Sequence, residues 1–387
     1  AEVAFKDFPT KYPQSRLVEQ SSFYEVTSLW NQKKYDEFKT AFSDFEEKYP
    51  ENPEMHNLEF NKAYLNVEEG KWDEAIDELA AFSIKFSKSH LVERAEYYRT
   101  YSLSNTKRYQ DFYDAVDAFK DKYPEDPELH NLVFQKAHHH FDEGKFDEAA
   151  SMLGTFESEF PQSELVPEAD YYIAMSGYEG HHFEQFKGKC AEYLEKYPEN
   201  PLAKEIQYHD ALASYKLNDY AGANQLLEKF ITENPESDLA LSAKLYCAMS
   251  LANEILIIDP KSSDYSQKNT LLKTYLSEYR KEASKLLNEE ATPAHLHKRL
   301  SYEYVESFYY EQDWASLAQA ATDLMSQGNI DKTTQCFAMN WLAVALVNKD
   351  DRDLAGAKSL FNQVIETEIA YDQWGIELKS TAARWLS

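Results

Sequence analysis

The sequence predicts an all-α chain built as a tandem array of helical hairpins. Two recurrences and one compositional fact carry that prediction. KYPENPE at Lys48 to Glu54 returns as KYPEDPE at Lys122 to Glu128 and as KYPENP at Lys196 to Pro201, 74 residues apart each time. Halfway between lie degenerate versions: KYPQS from Lys11, KFSKS from Lys85, EFPQS from Glu159 and ENPES from Glu233. A mark therefore falls every 37 residues, and self-similarity at such a period is the signature of repeat architectures. With only 10 Gly and 13 Pro the chain has few breaks, which favours helices over a many-turned β fold.

Taken in order, residues 1–10 align with Phe38 to Glu47 after a shift of 37, so that Phe5 matches Phe42 and Phe8 matches Phe45. They read as a partial repeat, a second helix without its first. Residues 11–240 hold six regular units, each a helix, a tight turn and a helix. The residue before a proline is pushed out of the α region, so each second helix is expected to stop near Lys48 or Lys122. Asn52, Asp126 and Asn200 read as N-caps, with Pro53, Pro127 and Pro201 at the first helical position. The inner turn has its own beat: Tyr35, Trp72, Tyr109, Phe146, Phe183 and Tyr220 are 37 apart. Beyond residue 240 the period slips, with turn positions at Tyr265, Trp314 and Leu354, yet DLAGAKSLFNQVI from Asp353 echoes DYAGANQLLEKFI from Asp219. Residues 241–387 read as longer, irregular helical pairs that end in an unpaired first helix.

Ala63, Gly70, Trp72, Ala75 and Leu79 form a pattern of small residue, G-x-aromatic turn, then A-x3-L; Ala137, Gly144, Phe146, Ala149 and Leu153 repeat it, and Ala211, Tyr220, Ala223 and Leu227 give a third version. This pattern resembles the tetratricopeptide repeat. Odd units carry Phe38, Phe112 and Phe186 where even ones have Ala, so two repeat types alternate in 74-residue pairs. The resemblance implies a helical-hairpin solenoid wound as a right-handed superhelix. The Pro-centred linkers resemble those of bacterial periplasmic and outer-membrane-associated members of the family. The resemblance specifies a fold, not an activity.

Net charge is −28, and a surface of that sign repels phosphate backbones and anionic headgroups, so nucleic acid is not an expected partner. The most apolar stretch, Tyr246 to Ile258, is interrupted by Asn253 and Glu254, so no membrane insertion is expected. At 43% hydrophobic residues, with 28 Tyr and 22 Phe, the chain is too apolar to be a disordered acidic tail. Cys190, Cys247 and Cys336 show no C-x-x-C spacing and lie in apolar helical patterns, where a buried free thiol is ordinary. The chain begins at Ala1, as removal of a signal peptide would leave it; an exported location, periplasmic, cell-surface or extracellular, is the expectation.

Helical arrays bind along the wall lined by first helices. One first-helix position is aromatic in every regular unit: Phe23, Phe60, Tyr97, Phe134, Tyr171 and Tyr208. As a ladder these rings would stack on an extended peptide; as core they would pack within the array. His138, His139 and His140 invite a metal, but consecutive helical residues point in different directions and cannot share one ion. Acidic pairs such as Asp73–Glu74 and Asp147–Glu148 recur with the repeat, which suits helix-start electrostatics better than acid–base chemistry. No nucleophile motif, P-loop or G-x-G-x-x-G occurs, so neither catalysis nor a cofactor is expected.

The first ten residues carry Val3, Phe5 and Phe8, and the last helix carries Trp374, Leu378, Trp385 and Leu386. A second helix at one end and a first helix at the other are the halves of one repeat. One expectation is therefore head-to-tail self-assembly of an exported scaffold, through a heterologous contact that leaves filaments open. The alternative is a monomeric adaptor with a peptide or protein in its groove.

Overall fold

The computed structural model describes residues 2–289, 291–327, 330–369 and 373–386; the side chains of residues 2 and 373–376, Trp374 among them, lie outside the description. Among the described residues there are α-helices and no strand. The chain divides into two compact units, residues 1–180 and 181–387. The first holds α1 (Glu2–Lys11), α2 (Val18–Asn31), α3 (Tyr35–Lys48), α4 (Met55–Glu68), α5 (Trp72–Lys85), α6 (Val92–Ser104), α7 (Tyr109–Lys122), α8 (Leu129–Asp142), α9 (Phe146–Leu153), α10 (Phe156–Glu159) and α11 (Val166–Glu179). The second holds α12 (Phe183–Lys196), α13 (Ala203–Lys216), α14 (Tyr220–Glu233), α15 (Asp238–Ile255), α16 (Ser263–Leu287), α17 (Ala294–Tyr310), α18 (Trp314–Ser326), α19 (Lys332–Asn348), α20 (Leu354–Glu366) and α21 (Gln373–Leu386).

The inner turns explain the beat of aromatics. Tyr35, Trp72, Tyr109, Phe146, Phe183, Tyr220 and Trp314 each stand first in their helix, as does Leu354. Before six of them the chain reverses through a left-handed residue: Lys33 (φ 55), Gly70 (φ 69), Gly144 (φ 76), His181 (φ 61), Asn218 (φ 63) and Gln312 (φ 60). At the next residue the N–H reaches back to a carbonyl five residues earlier: Lys34 to Leu29 (3.1 Å), Lys71 to Asn66 (2.8 Å), Lys145 to His140 (2.9 Å) and Asp219 to Ser214 (3.0 Å). This is the Schellman closure, which satisfies orphan carbonyls at the end of a first helix. Glycine adopts the required φ without steric penalty at 70 and 144, whereas Lys33 and His181 hold it against their Cβ.

The Pro marks work differently from the expectation. Asn52, Asp126 and Asn200 are not N-caps. Each Oδ1 accepts from the N–H two residues on, that of Glu54 (2.8 Å), Glu128 (2.8 Å) and Leu202 (2.9 Å). These are Asx turns, which local side-chain bonding favours over a helix start. The helices begin only at Met55, Leu129 and Ala203, and the prolines sit inside the turn. Ser15, Ser89 and Ser163 close the same turn in the alternate marks. Lysines of the marks lie over the ring that follows: Lys48 on Tyr49 (5.2 Å), Lys85 on Phe86 (5.2 Å), Lys122 on Tyr123 (5.0 Å) and Lys196 on Tyr197 (5.0 Å).

The core follows one stripe per second helix, at i, i+4 and i+7: Phe38, Phe42 and Phe45; Ala75, Leu79 and Phe82; Phe112, Val116 and Phe119; Phe186, Cys190 and Tyr193; Ala223, Leu227 and Phe230. All are buried. The irregular part keeps the stripe with Leu317, Ala321 and Leu324, then Ala357, Phe361 and Val364. Within the first unit, α2, α4, α6, α8 and α11 stand side by side as one wall; within the second, α13, α15, α17, α19 and α21 do the same.

Candidate functional site

The six ladder aromatics sit on these walls, but most face inward. Phe60, Tyr171 and Tyr208 are buried, and Phe23, Tyr97 and Phe134 are half-buried. Five of them meet the last stripe ring of their own repeat: Phe23–Phe45 (6.2 Å), Phe60–Phe82 (5.7 Å), Tyr97–Phe119 (6.1 Å), Phe134–Phe156 (6.0 Å) and Tyr208–Phe230 (5.6 Å). The stripe ring in turn meets the ring of the mark, as in Phe45–Tyr49 (5.2 Å) and Phe119–Tyr123 (5.0 Å). In four hairpins three rings thus meet in series at tilted or edge-on angles, and Phe60, Tyr171 and Tyr208 are core residues rather than open rungs.

The groove of the first unit is built from neighbouring positions. A pocket of ≈ 850 Å³ lies over α4, α6 and the start of α8, and Tyr97 is the ladder residue that lines it. Its aromatic wall is Tyr64, Trp72, Tyr98 and Tyr101. Tyr64 and Tyr98 lie 4.5 Å apart, and Tyr64 donates to Glu68 at 2.6 Å. Arg94 lies over Phe60 (5.8 Å) and Tyr98 (5.6 Å). Four carboxylates line the same space: Glu68, Glu93, Asp126 and Glu128. Burial, and then the hydrogen-bonded Asp126, raise the Glu93 carboxyl above its ordinary range. Burial and the charge of Glu128 push the Tyr97 phenol up to about 12. The groove therefore holds excess negative charge beside flat apolar faces, an arrangement that accepts cationic and aromatic side chains.

In the second unit a cavity of ≈ 440 Å³ opens among α13, α15, α17, α19 and α21. Glu306 projects into it from α17. None of its residues lies on the 37-residue ladder, and the sequence signal for it, a carboxylate inside the apolar run VESFYY, falls in the irregular part where no periodic argument reaches.

The histidines go to separate neighbours. His138 bonds the Tyr172 hydroxyl at 2.8 Å and pairs with Asp142 at 3.2 Å; His139 lies against Tyr109 (5.1 Å) and Phe112 (5.4 Å); His140 stacks on Tyr113 at 4.4 Å. Among the described residues no group of three or more His, Cys, Asp or Glu is placed to hold a metal ion. All three cysteines are buried free thiols, and burial pushes Cys190 up to about 12. No helix is long and apolar enough to cross a membrane, among the described residues.

Of the residues at the two ends, Phe5 packs on Tyr24 (5.4 Å), with its carbonyl accepting from the Ser21 hydroxyl (2.9 Å), and Phe8 meets Tyr12 (5.1 Å). Leu378 is buried in the second unit's core, where Asn340 Nδ2 donates to its carbonyl at 3.0 Å, so it is not available to a second copy. Leu386 packs half-buried on the same core. Trp385 lies parallel to Phe361 at 6.3 Å yet is 42% exposed, and Val3 is 70% exposed.

A family model described as tetratricopeptide repeat matches residues 207–237, which span most of α13 and all of α14. One helical hairpin of the chain thus matches the tetratricopeptide repeat. The fold of the chain is similar to that of a tetratricopeptide repeat protein from Parabacteroides merdae, with a TM-score of 0.53 at 13% identity over 75% of this chain and 98% of that one. It is also similar to the apo form of RapI, with a TM-score of 0.53 at 11% identity over 95% of this chain and 97% of that one. No curated protein matches the chain. The likeness is one of fold: first helices stand side by side in both units, as in tetratricopeptide repeat structures.

Proposed function

We propose that this repeat protein is a non-catalytic scaffold that captures a basic, aromatic-containing segment of a protein partner in the groove of its first unit. The observation that carries the reading is the pairing, in one ≈ 850 Å³ pocket, of Tyr64, Trp72, Tyr98 and Tyr101 with Glu68, Glu93, Asp126 and Glu128. The net charge of −28 supports it, because a field of that sign steers cationic partners and repels anionic ones. Fluorescence anisotropy with a labelled decapeptide alternating Lys and Tyr tests it, against the same peptide with Glu in place of Lys. The basic peptide binds the chain and is released by salt, and Glu93→Lys with Asp126→Lys abolishes binding while the helix content stays unchanged. Equal binding of the acidic peptide, or unchanged binding by the double variant, sinks the reading.

A second reading, self-association, is carried by the exposure of Val3 and Trp385. Light scattering that gives one mass at every concentration removes it; a mass that grows with concentration and falls in Trp385→Asp supports it.

A further inference from the structure

The first unit's groove is open and rimmed with charge. The second unit's cavity is smaller, and its chemistry is different. Its ≈ 440 Å³ lie within the range of small-ligand sites. Its walls are rings: Tyr309 and Trp341 meet at 5.1 Å and 55°, and Tyr215 and Tyr246 at 5.7 Å and 79°. All four rings line the cavity. Two carboxylates, Glu306 and Glu377, stand on its lining. Asn340, 3% exposed, also lines it; its amide nitrogen is bound to Leu378 while its Oδ1 has no hydrogen-bond partner.

An apolar ligand would leave the buried Asn340 Oδ1 without a donor, at a cost of about 1–3 kcal/mol. An anion would meet two carboxylates. What satisfies π faces, carboxylates and an amide oxygen together is a cation carrying N–H donors. We propose that this cavity is a binding site for an organic cation of the guanidinium or alkylammonium class, seated between the Tyr309–Trp341 wall and the carboxylate of Glu306. The inference goes beyond the groove reading, since it concerns another unit and another set of residues.

The surroundings of Glu306 give the site a pH signature. Glu303 lies on its own helix, held by Ser242 (2.7 Å) and Tyr279 (3.1 Å), with Arg299 at 3.8 Å from it. From the packed helices the facing groups are Glu377 on α21, Tyr246 on α15, Tyr215 and the exposed Lys216 on α13, and the Trp341 N–H on α19; Tyr309 and Tyr310 complete the set on α17. Burial first, then Glu303 and Glu377, push the Glu306 carboxyl up to about 8. Part of its surface opens on the cavity, yet protein surrounds it on every side at longer range. A bound cation favours the ionised form, so binding expels a proton below that value.

Isothermal titration of the full chain with ethylguanidinium and with butylammonium tests this, with ethylurea as the neutral isostere. At least one cation binds saturably and ethylurea does not. Affinity rises by roughly tenfold per pH unit between about pH 6 and pH 7 and levels above about pH 8. The heat at about pH 7 changes with the ionisation enthalpy of the buffer, which reports the expelled proton. Glu306→Gln, which keeps the shape of the side chain, weakens the cation at least tenfold with circular dichroism unchanged. A second arm uses the peptide acetyl-Gly-Arg-Gly-amide: tighter binding of the peptide than of ethylguanidinium assigns the cation to a partner's side chain, and the reverse assigns it to a free amine. The proposal is overturned by equal binding of ethylurea, by unchanged affinity in Glu306→Gln, or by no saturable binding of either cation or the peptide. None of these outcomes depends on the first unit's groove, and Glu93→Lys with Asp126→Lys leaves the cation titration unaltered.

Discussion

Replacing Phe60 by Ala separates a structural ring from a binding rung. Phe60 is 5% exposed and touches three other rings: Phe82 at 5.7 Å, Tyr64 at 6.1 Å and Tyr98 at 6.4 Å. Removing a buried Phe from such a site costs about 3–5 kcal/mol, from lost transfer energy and the cavity left behind. Because α4 is held between neighbours on both sides, α2 and α3 before it and α5 and α6 after it, it can collapse little, and the upper half of that range is expected. Urea denaturation followed by far-ultraviolet circular dichroism measures it, with fragments of the transition compared, since arrays of repeats unfold by neighbours rather than all at once. Tyr101→Ala serves as the contrast: this half-buried pocket residue loses less stability and more affinity for the basic peptide. A Phe60→Ala loss under about 1 kcal/mol, with the peptide affinity reduced, would refute the packing argument and restore the ladder as a binding surface.

Lys33→Gly relieves a left-handed residue at an exposed turn and raises stability by about 0.5–1 kcal/mol, read as a shift in the denaturation midpoint. Gly144→Ala does the opposite by about 1 kcal/mol; although nothing lies within 4 Å of the added Cβ, its φ of 76 remains strained, so an unchanged midpoint would show that the turn can flip. Asp353→Ala removes the cap that accepts from the Gly356 N–H at 2.8 Å and lowers stability by about 1 kcal/mol, with α20 losing amide protection first. The carboxyl of Glu306 is raised from 4.5 to about 8, so the folded chain holds a proton that the unfolded chain has lost. Its contribution is therefore fully present below about pH 4.5 and is lost as pH rises through about 8. Glu306→Gln flattens that decline and melts higher than the parent chain near about pH 9; parallel melting curves for the two at all pH values would contradict the assignment.

The repeat was legible because its chemistry is local. A Schellman turn needs a left-handed residue, an aromatic must follow it, and a mark must end the helix; each demand is met within a few residues, so each leaves a letter at a fixed phase. What the marks do was less legible: Asn52 followed by Pro53 reads equally as a cap or as an Asx turn, and only the N–H of Glu54 two residues on decides between them. The ladder could not be placed from spacing alone, because Phe60 and Tyr97 share a phase while one is buried and the other lines the pocket. The cavity of the second unit was invisible for a different reason. Glu306, Trp341 and Glu377 come from three helices with no common period, and their convergence depends on tertiary packing that leaves no phase in the sequence.

The ring triplets have a consequence for how this chain can be rebuilt. Ladder ring, stripe ring and mark ring all belong to one hairpin, so the joint between hairpins is spelled the same way at every second mark. Excising residues 48–121 would bring Lys122 to the place of Lys48, with KYPEDPE standing where KYPENPE stood. The seam would join like to like, because Phe112 and Phe38 both belong to the odd type and Ala149 and Ala75 both to the even. Removing 37 residues instead would set a Phe against a partner shaped for Ala. The chain is thus written in cassettes of two hairpins, and its reach can be lengthened or shortened in those steps without redrafting a single core.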